Sequence, residues 1–280
     1  MGAVRDSSSP VITFLSDYGR EDEFVGVCHG VIARRCPQAR VIDLTHAVPR
    51  HDVRAGALVL RAALPYMPSG VQLAVVDPGV GARGAEGRRA LALRTRDGGQ
   101  LLVGPDNGLL MPAAESLGGV AEAVDVGHSR ERLEPVSATF HGRDIFAPVA
   151  AALAAGEGLR DLGEPIPIES IRAIELPAAQ LHGEALTAHV LRADTFGNLV
   201  LDAQRAQLAA LGARHGELLS VEHASVRHVA VRGDAFADVL PGELVIYEDA
   251  EGMISLAVNR GSAAELLGAG RDDELVISPA

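Results

Sequence analysis

Tryptophan is absent, and aromatic residues of all kinds make up 3% of the chain, six Phe and three Tyr among 280 residues. The core must therefore be aliphatic, and a ring beside a glycine-rich turn has fewer purely structural reasons to be there. Cysteine is nearly absent too. Cys28 and Cys36 match neither a disulfide framework nor the paired Cys-x-x-Cys spacing of a structural zinc site, so two reduced thiols in a cytoplasmic protein are expected. No stretch approaches the roughly 18 uninterrupted apolar residues of a membrane span. The first ten residues are small and polar, without the apolar core of a secretory signal, so no membrane partner is expected. Cations are outnumbered, 25 Lys plus Arg to 37 Asp plus Glu, a formal net charge of −12 at pH 7. Binding a phosphate backbone needs a basic face that releases counterions, so no nucleic-acid partner is expected.

What is present is a globular composition, 48% hydrophobic and 22% charged. Val11-Ile12-Thr13-Phe14-Leu15 is a short apolar, β-branched run that reads as a buried strand ending at Ser16-Asp17-Tyr18-Gly19. Apolar residues from Phe24 to Ile32 recur at helical spacing, with Asp22 placed to cap the helix and Pro37 to stop it. A strand at 40–44, a helix at 52–64 and a strand at 71–76 follow, with further strands at 90–94 and 101–103 and a helix after Ile145. Strand, helix, strand, helix, strand implies α/β architecture. Pro165, Pro167 and Pro177 interrupt a non-periodic stretch at 159–176, the best linker candidate. Beyond it, short apolar or alternating runs at 184–193, 199–201, 218–221, 227–231, 243–248, 253–258 and 274–277 suggest a small all-β domain. The expectation is a largely parallel-sheet α/β domain over 1–175, followed by a smaller barrel or sandwich over 176–280.

Open α/β sheets gather ligands at the carboxyl ends of their strands. Asp17, Asp43 and Asp77 each sit at such an end. Asp17 could accept from ribose hydroxyls, or merely cap a helix. Asp43, His46 and His51, with His141 and Asp144, carry ligand chemistry for a metal, but neither a helical His pair nor a recognisable ligand triad accompanies them, and no metal is expected. Asp77-Pro78-Gly79-Val80-Gly81 lacks the Lys-Ser/Thr of a phosphate loop; its tight turn instead brings backbone close to the strand end, where one acid and a nearby Arg could polarise a water. Phe140-His141-Gly142-Arg143-Asp144 sets an imidazole beside a ring and a glycine, with Arg143 and Asp144 read as a local ion pair. Asp194-Thr195-Phe196-Gly197-Asn198 combines an anion, a ring and an amide, suited to an ammonium group and a flat base, or equally to a hairpin turn.

These segments, with Gly104-Pro105-Asp106-Asn107-Gly108, closely resemble those of the S-adenosylmethionine hydroxide adenosyltransferases, relatives of the fluorinating and chlorinating enzymes, across nearly the whole chain. The resemblance implies hydrolysis of S-adenosyl-L-methionine to adenosine and methionine, by attack of a water-derived hydroxide on the ribose 5′ carbon, without a cofactor. It implies a water-activating Asp, Arg and His, carried here by Asp77, Arg88 and His141. Gly84-Ala85-Glu86-Gly87 looks like a short insertion that makes Arg83 the competing arginine. Halide-using relatives carry Tyr in place of Asp77 and lack the His-Gly pair, so the water-using branch is implied. For binding it implies Asp17 at the ribose, Asp194 at the methionine ammonium, Asn198 at the ribose or nearby groups, Phe196 stacked near the adenine, and the 259–263 segment, with Asn259 and Ser262, along the adenine edge. It further implies a homotrimer with active sites between subunits. Two other classes compete: a metal-dependent hydrolase built from Asp43, His46, His51 and His141, and a non-catalytic module that binds adenosine or S-adenosylmethionine.

Overall fold

The computed structural model describes residues 9–82, 84 and 87–280. Contacts divide the chain into two compact units, with the division between Ile174 and Glu175.

The first unit is built on a seven-stranded sheet. Its strands are β1 (Val11–Ser16), β2 (Arg40–Thr45), β3 (Val71–Val75), β4 (Ala90–Thr95), β5 (Leu101–Pro105), β6 (Val120–Asp125) and β7 (Glu164–Pro165), in the order β2-β1-β3-β5-β4-β6-β7. From β2 to β5 the pairings are parallel; beyond β5 the sheet continues antiparallel through β4, β6 and β7. Helices α1 (Phe24–Arg35) and α4 (Ala147–Ala154) cover one face, and α2 (Val53–Ala63) and α3 (Met111–Ser116) the other. Alternation along the strands follows from this. Ile12 and Phe14 of β1 point into the first helix layer with Cys28 and Ile32, while Leu15 joins Ala57 and Leu60 in the second. Covering both faces explains why β1 and β3 read as continuous apolar runs.

Helix α2 begins as the sequence implies, with Asp52 at its N-cap accepting from the Ala55 amide at 3.0 Å. Helix α1 does not. Glu23 holds the N-cap without a side-chain bond, and Asp22, expected to cap it, lines a pocket instead. Most of the expected linker also belongs to the first unit. Leu159, Leu162 and Ile171 are buried, β7 pairs with β6, and the Arg172 amide donates to Asp106 Oδ1 at 2.8 Å. Proline there marks irregular backbone laid against the sheet.

The second unit has strands β8 (Gln180–His182), β9 (Ala185–Ala193), β10 (Leu199–Gln204), β11 (Leu218–His223), β12 (Val226–Arg232), β13 (Leu244–Glu248), β14 (Met253–Val258) and β15 (Glu274–Pro279). Pairing of β9 with β10 closes seven of them into a barrel, and β8 adds to the outer side of β9. Alternate residues such as Leu186, Ala188, Val190, Leu199 and Leu201 fill the interior with Ile246, Leu256 and Ile277. Two short helices accompany the barrel, α5 (Arg205–Ala210) and α6 (Ala263–Leu267). Closure removes the exposed edges that a sheet this small would otherwise carry.

Candidate active site

The chain leaves β3 into the turn at Asp77, where the Val80 amide returns to the Asp77 carbonyl at 3.2 Å. Gly81 has φ +74°, and a Cβ there would meet the Ala138 carbonyl at 2.1 Å. Glycine thus lets this turn lie against the segment that leads into His141. Arg88 approaches the same point from just before β4. Its Nε donates to Asp77 Oδ1 at 3.0 Å and its Nη2 to Asp77 Oδ2, a two-point pair whose side chains are only 5% and 6% exposed. The Phe146 ring lies under the guanidinium, 5.1 Å from Cζ to centroid.

Arg88 Nη2 also lies 2.9 Å from His141 Nδ1. Guanidinium nitrogens only donate, so Nδ1 is the acceptor and the neutral ring carries its proton on Nε2. Burial pushes the His141 pKa below its ordinary value, and the charge of Arg88 pushes in the same direction against the pull of Asp77 and Asp144. His141 stands at the start of a π-helical turn, Gly142–Phe146, that runs into α4. Such turns recur at functional sites. As expected, Arg143 pairs with Asp144, by Nε to Oδ1 at 2.6 Å, and Asp144 Oδ2 also holds the Ser137 amide at 2.8 Å.

Asp77 and His141 face a pocket of about 310 Å³ whose walls include Asp17, Tyr18, His51 and Thr139. Asp17 Oδ2 accepts the His51 amide at 2.9 Å, and His51 has φ +66°. The Tyr18 hydroxyl lies where a side chain at residue 142 would project; a Cβ on Gly142 would come within 2.0 Å of it. Burial, chiefly, and then Cys28, Asp77 and Asp17 hold the Tyr18 pKa well above its ordinary value, so the phenol keeps its proton. Tyr18, Phe24 and Phe140 meet as a cluster with centroids 5.2–5.9 Å apart, and Phe14 joins behind Tyr18. Four of the nine aromatic rings thus stand beside this pocket. Sequence reasoning carried Tyr18 and Thr139 only as members of the motifs at Ser16–Gly19 and around His141, and had no signal for Arg50, which also lines it.

The remaining expected residues lie on the barrel unit. Asp194, Phe196, Asn198 and Asn259 line a larger cavity of about 950 Å³, with Arg192, Phe236, Tyr247 and Asp249. Asp194 Oδ1 accepts the amides of Phe196 and Asn198 at 2.8 and 2.9 Å, and its Oδ2 accepts Asn198 Nδ2 at 2.8 Å. These bonds hold the loop and orient the carboxylate. Asn259 Nδ2 donates to the Val239 carbonyl at 2.7 Å, and Ser262 Oγ caps α6 through the Glu265 amide at 3.1 Å. The barrel cavity is the larger, but the acid and imidazole that could move a proton meet at the smaller one, with Arg88 hydrogen-bonded to both.

The first unit matches the model of the SAM hydroxide adenosyltransferase N-terminal domain over residues 12–163, and the second matches the C-terminal domain of the same enzymes over 188–276. The chain belongs to the S-adenosylmethionine hydroxide adenosyltransferase family. An (R)-S-adenosyl-L-methionine hydrolase from Salinispora tropica is 49% identical over 96% of this chain and 98% of its own. A fluorinase from Nocardia brasiliensis is 27% identical over 91% and 92% of the two chains. Among solved structures, a conserved protein from Thermotoga maritima superposes with a TM-score of 0.89 at 36% identity, covering 95% of this chain and 99% of that one.

Within this family frame the competing metal-hydrolase set does not assemble. Asp43 and His46 cluster with His29, whereas His51 and His141 line the 310 Å³ pocket. Arg83, the competing arginine, lies outside the described residues.

Proposed function

We propose that the protein hydrolyses S-adenosyl-L-methionine to adenosine and L-methionine, with Asp77, Arg88 and His141 as its water-activating groups. The observation that carries this reading is the hydrogen-bonded line Asp77–Arg88–His141 at the wall of a pocket that also holds Asp17, in a chain of this family. The water oxygen forms a bond to the ribose 5′ carbon while the bond from that carbon to sulfur breaks. The electron pair stays on sulfur, which leaves as the neutral thioether of methionine, so no general acid is needed at the leaving side. One proton is released per turnover.

Water has a pKa of about 15.7, and the difficulty lies in drawing a nucleophile from it. As the carbon–oxygen bond forms, the attacking oxygen turns strongly acidic, so a carboxylate suffices as acceptor. With His141 Nδ1 occupied by Arg88, its Nε2–H orients the water and Asp77 takes the proton. The guanidinium holds positive charge where hydroxide character develops. Asp17 binds the ribose hydroxyls. Asp194, Asn198, Phe196, Asn259 and Ser262 serve the methionine and adenine ends from a barrel unit. A homotrimer sharing sites between subunits, a cytoplasmic setting and a cofactor-free reaction belong to the same proposal. Relatives are named for the (R) form of the substrate, and the sulfonium epimer accepted here is proposed to be that one.

Incubation with S-adenosyl-L-methionine in ¹⁸O-labelled water tests the reading. The expected product is adenosine labelled at the 5′ oxygen, with one methionine per adenosine. Binding without methionine release, or turnover that requires halide, would overturn it.

A further inference from the structure

The groups left unused by that chemistry include a compact cluster on the other side of the Asp17 loop. His29 Nε2, from α1, lies 2.9 Å from Asp43 Oδ1, from β2, and His46 Nε2 lies 3.1 Å from the same oxygen. One ligand atom of each residue lies within 4.8 Å of the others. We propose that His29, Asp43 and His46 form a binding site for a divalent transition-metal ion of the zinc type, separate from the reacting groups.

An orphaned atom gives independent support. His46 is 2% exposed, and its Nε2, aimed at the cluster, has no hydrogen-bond partner of good geometry; its contact with Asp43 is close but off-line. The other ring nitrogen is held by Ser16 Oγ at 2.7 Å, an oxygen that also accepts from the Tyr18 amide at 3.3 Å. With its proton on Nδ1, the ring gives that hydrogen to Ser16 and turns the Nε2 lone pair toward the cluster. A metal-ligating histidine is oriented in this way. The Phe14 ring, 4.7 Å from that of His46, closes the buried side, while His29 and Asp43 are about one-third exposed and leave a route for an ion and its waters. Bonds of about 2.0–2.1 Å at tetrahedral angles set donors about 3.3 Å apart, within reach of the spacings found here. Two imidazoles and a carboxylate favour zinc and its neighbours over magnesium or calcium. Among the groups whose charge acts on His46, Asp43 attracts positive charge while His29 and Arg20 oppose it.

Ser16, His46 and Asp43 also stand in the order of a serine-hydrolase relay, but Ser16 is wholly buried and no substrate reaches it. An ion here would instead anchor the segment 46–51. That segment receives the Gly19 amide at the His46 carbonyl, 2.8 Å, and donates the His51 amide to Asp17. The site would thus stiffen the support of the pocket wall without entering the reaction.

Untagged full-length protein, stripped with a chelator and titrated with Co²⁺, gives a readout independent of catalysis. Wild type is expected to bind one Co²⁺ per chain with visible ligand-field absorption that Zn²⁺ bleaches and Mg²⁺ does not. His29→Ala, at a partly exposed helix position, and Asp43→Asn are each expected to lose at least tenfold in affinity while keeping the melting temperature of the metal-free wild type. Absence of absorption in wild type, or affinity unchanged in His29→Ala, would overturn the site.

Discussion

Arg88 donates to His141 Nδ1 at 2.9 Å while it holds Asp77 through two nitrogens. The guanidinium therefore decides the tautomer of the imidazole as well as the charge at the pocket wall. Arg88 ties the other two side chains together, so substitutions among the three should act as a unit and not add.

Arg88→Ala is expected to lower kcat about 100- to 1000-fold, roughly 3–4 kcal/mol of transition-state stabilisation. Arg88→Lys should recover little, because an ammonium cannot bridge both carboxylate oxygens and the ring nitrogen. Arg83→Ala should remain near wild type. Steady-state kinetics of the three variants check this, and full activity in Arg88→Ala would discard the assignment.

The pH profile follows from His141. Its pKa is lowered from the ordinary 6.5, so between the lowered value and 6.5 the unfolded chain binds more protons than the native one. The contribution of this group to stability is fully present above about pH 6.5 and is lost as pH falls toward the folded pKa. Protonating Nδ1 also expels Arg88, so the acid limb of kcat should fall below pH 6.5. A limb centred at or above 6.5 would show that a different group titrates.

Gly142→Ala sets a methyl group on the Tyr18 hydroxyl, 2.0 Å away before relaxation. The expected cost is about 1–3 kcal/mol of stability, with reduced turnover because His141 is the neighbouring residue. Adding Tyr18→Phe removes the nearest atom and should restore part of the loss. Urea unfolding of the single and double variants measures the coupling, and additive losses would disprove the contact.

Phe196 is 78% exposed, so Phe196→Ala should change stability by no more than about 0.5 kcal/mol. Its effect is expected on substrate instead, with KM raised about tenfold or more if the ring stacks on adenine, a contact worth about 1–3 kcal/mol. An unchanged KM would remove Phe196 from the site.

The α/β alternation of the first unit and the short strands of the second are legible because they rest on local periodicity. The run 11–15 is apolar on both faces because helices cover both, and a barrel strand such as β9 alternates because one face fills the interior, whereas β14 is buried on both faces. Strand β6, Val-Ala-Glu-Ala-Val-Asp, went unread, since alanine and acid carry little strand preference and its place depends on pairing with β4. Helix α3 is six residues long with Pro112 in its first turn, too short for a period to show.

The same division runs through the site. Asp77, His141 and the aromatic residues near them announce themselves by motif, since a tight turn and a His-Gly pair are written in consecutive residues. Which arginine meets them depends on β4 placing Arg88 eleven positions after Asp77 and 53 before His141, a convergence that follows from strand order and not from spacing. His29 escaped notice because nothing within its own helix marks it as a ligand. Only when β2 lies beside β1 under α1 does its ring come to within 2.9 Å of Asp43. Local chemistry is carried along the chain, whereas the meeting of distant groups depends on the packing of strands and helices across the sheet.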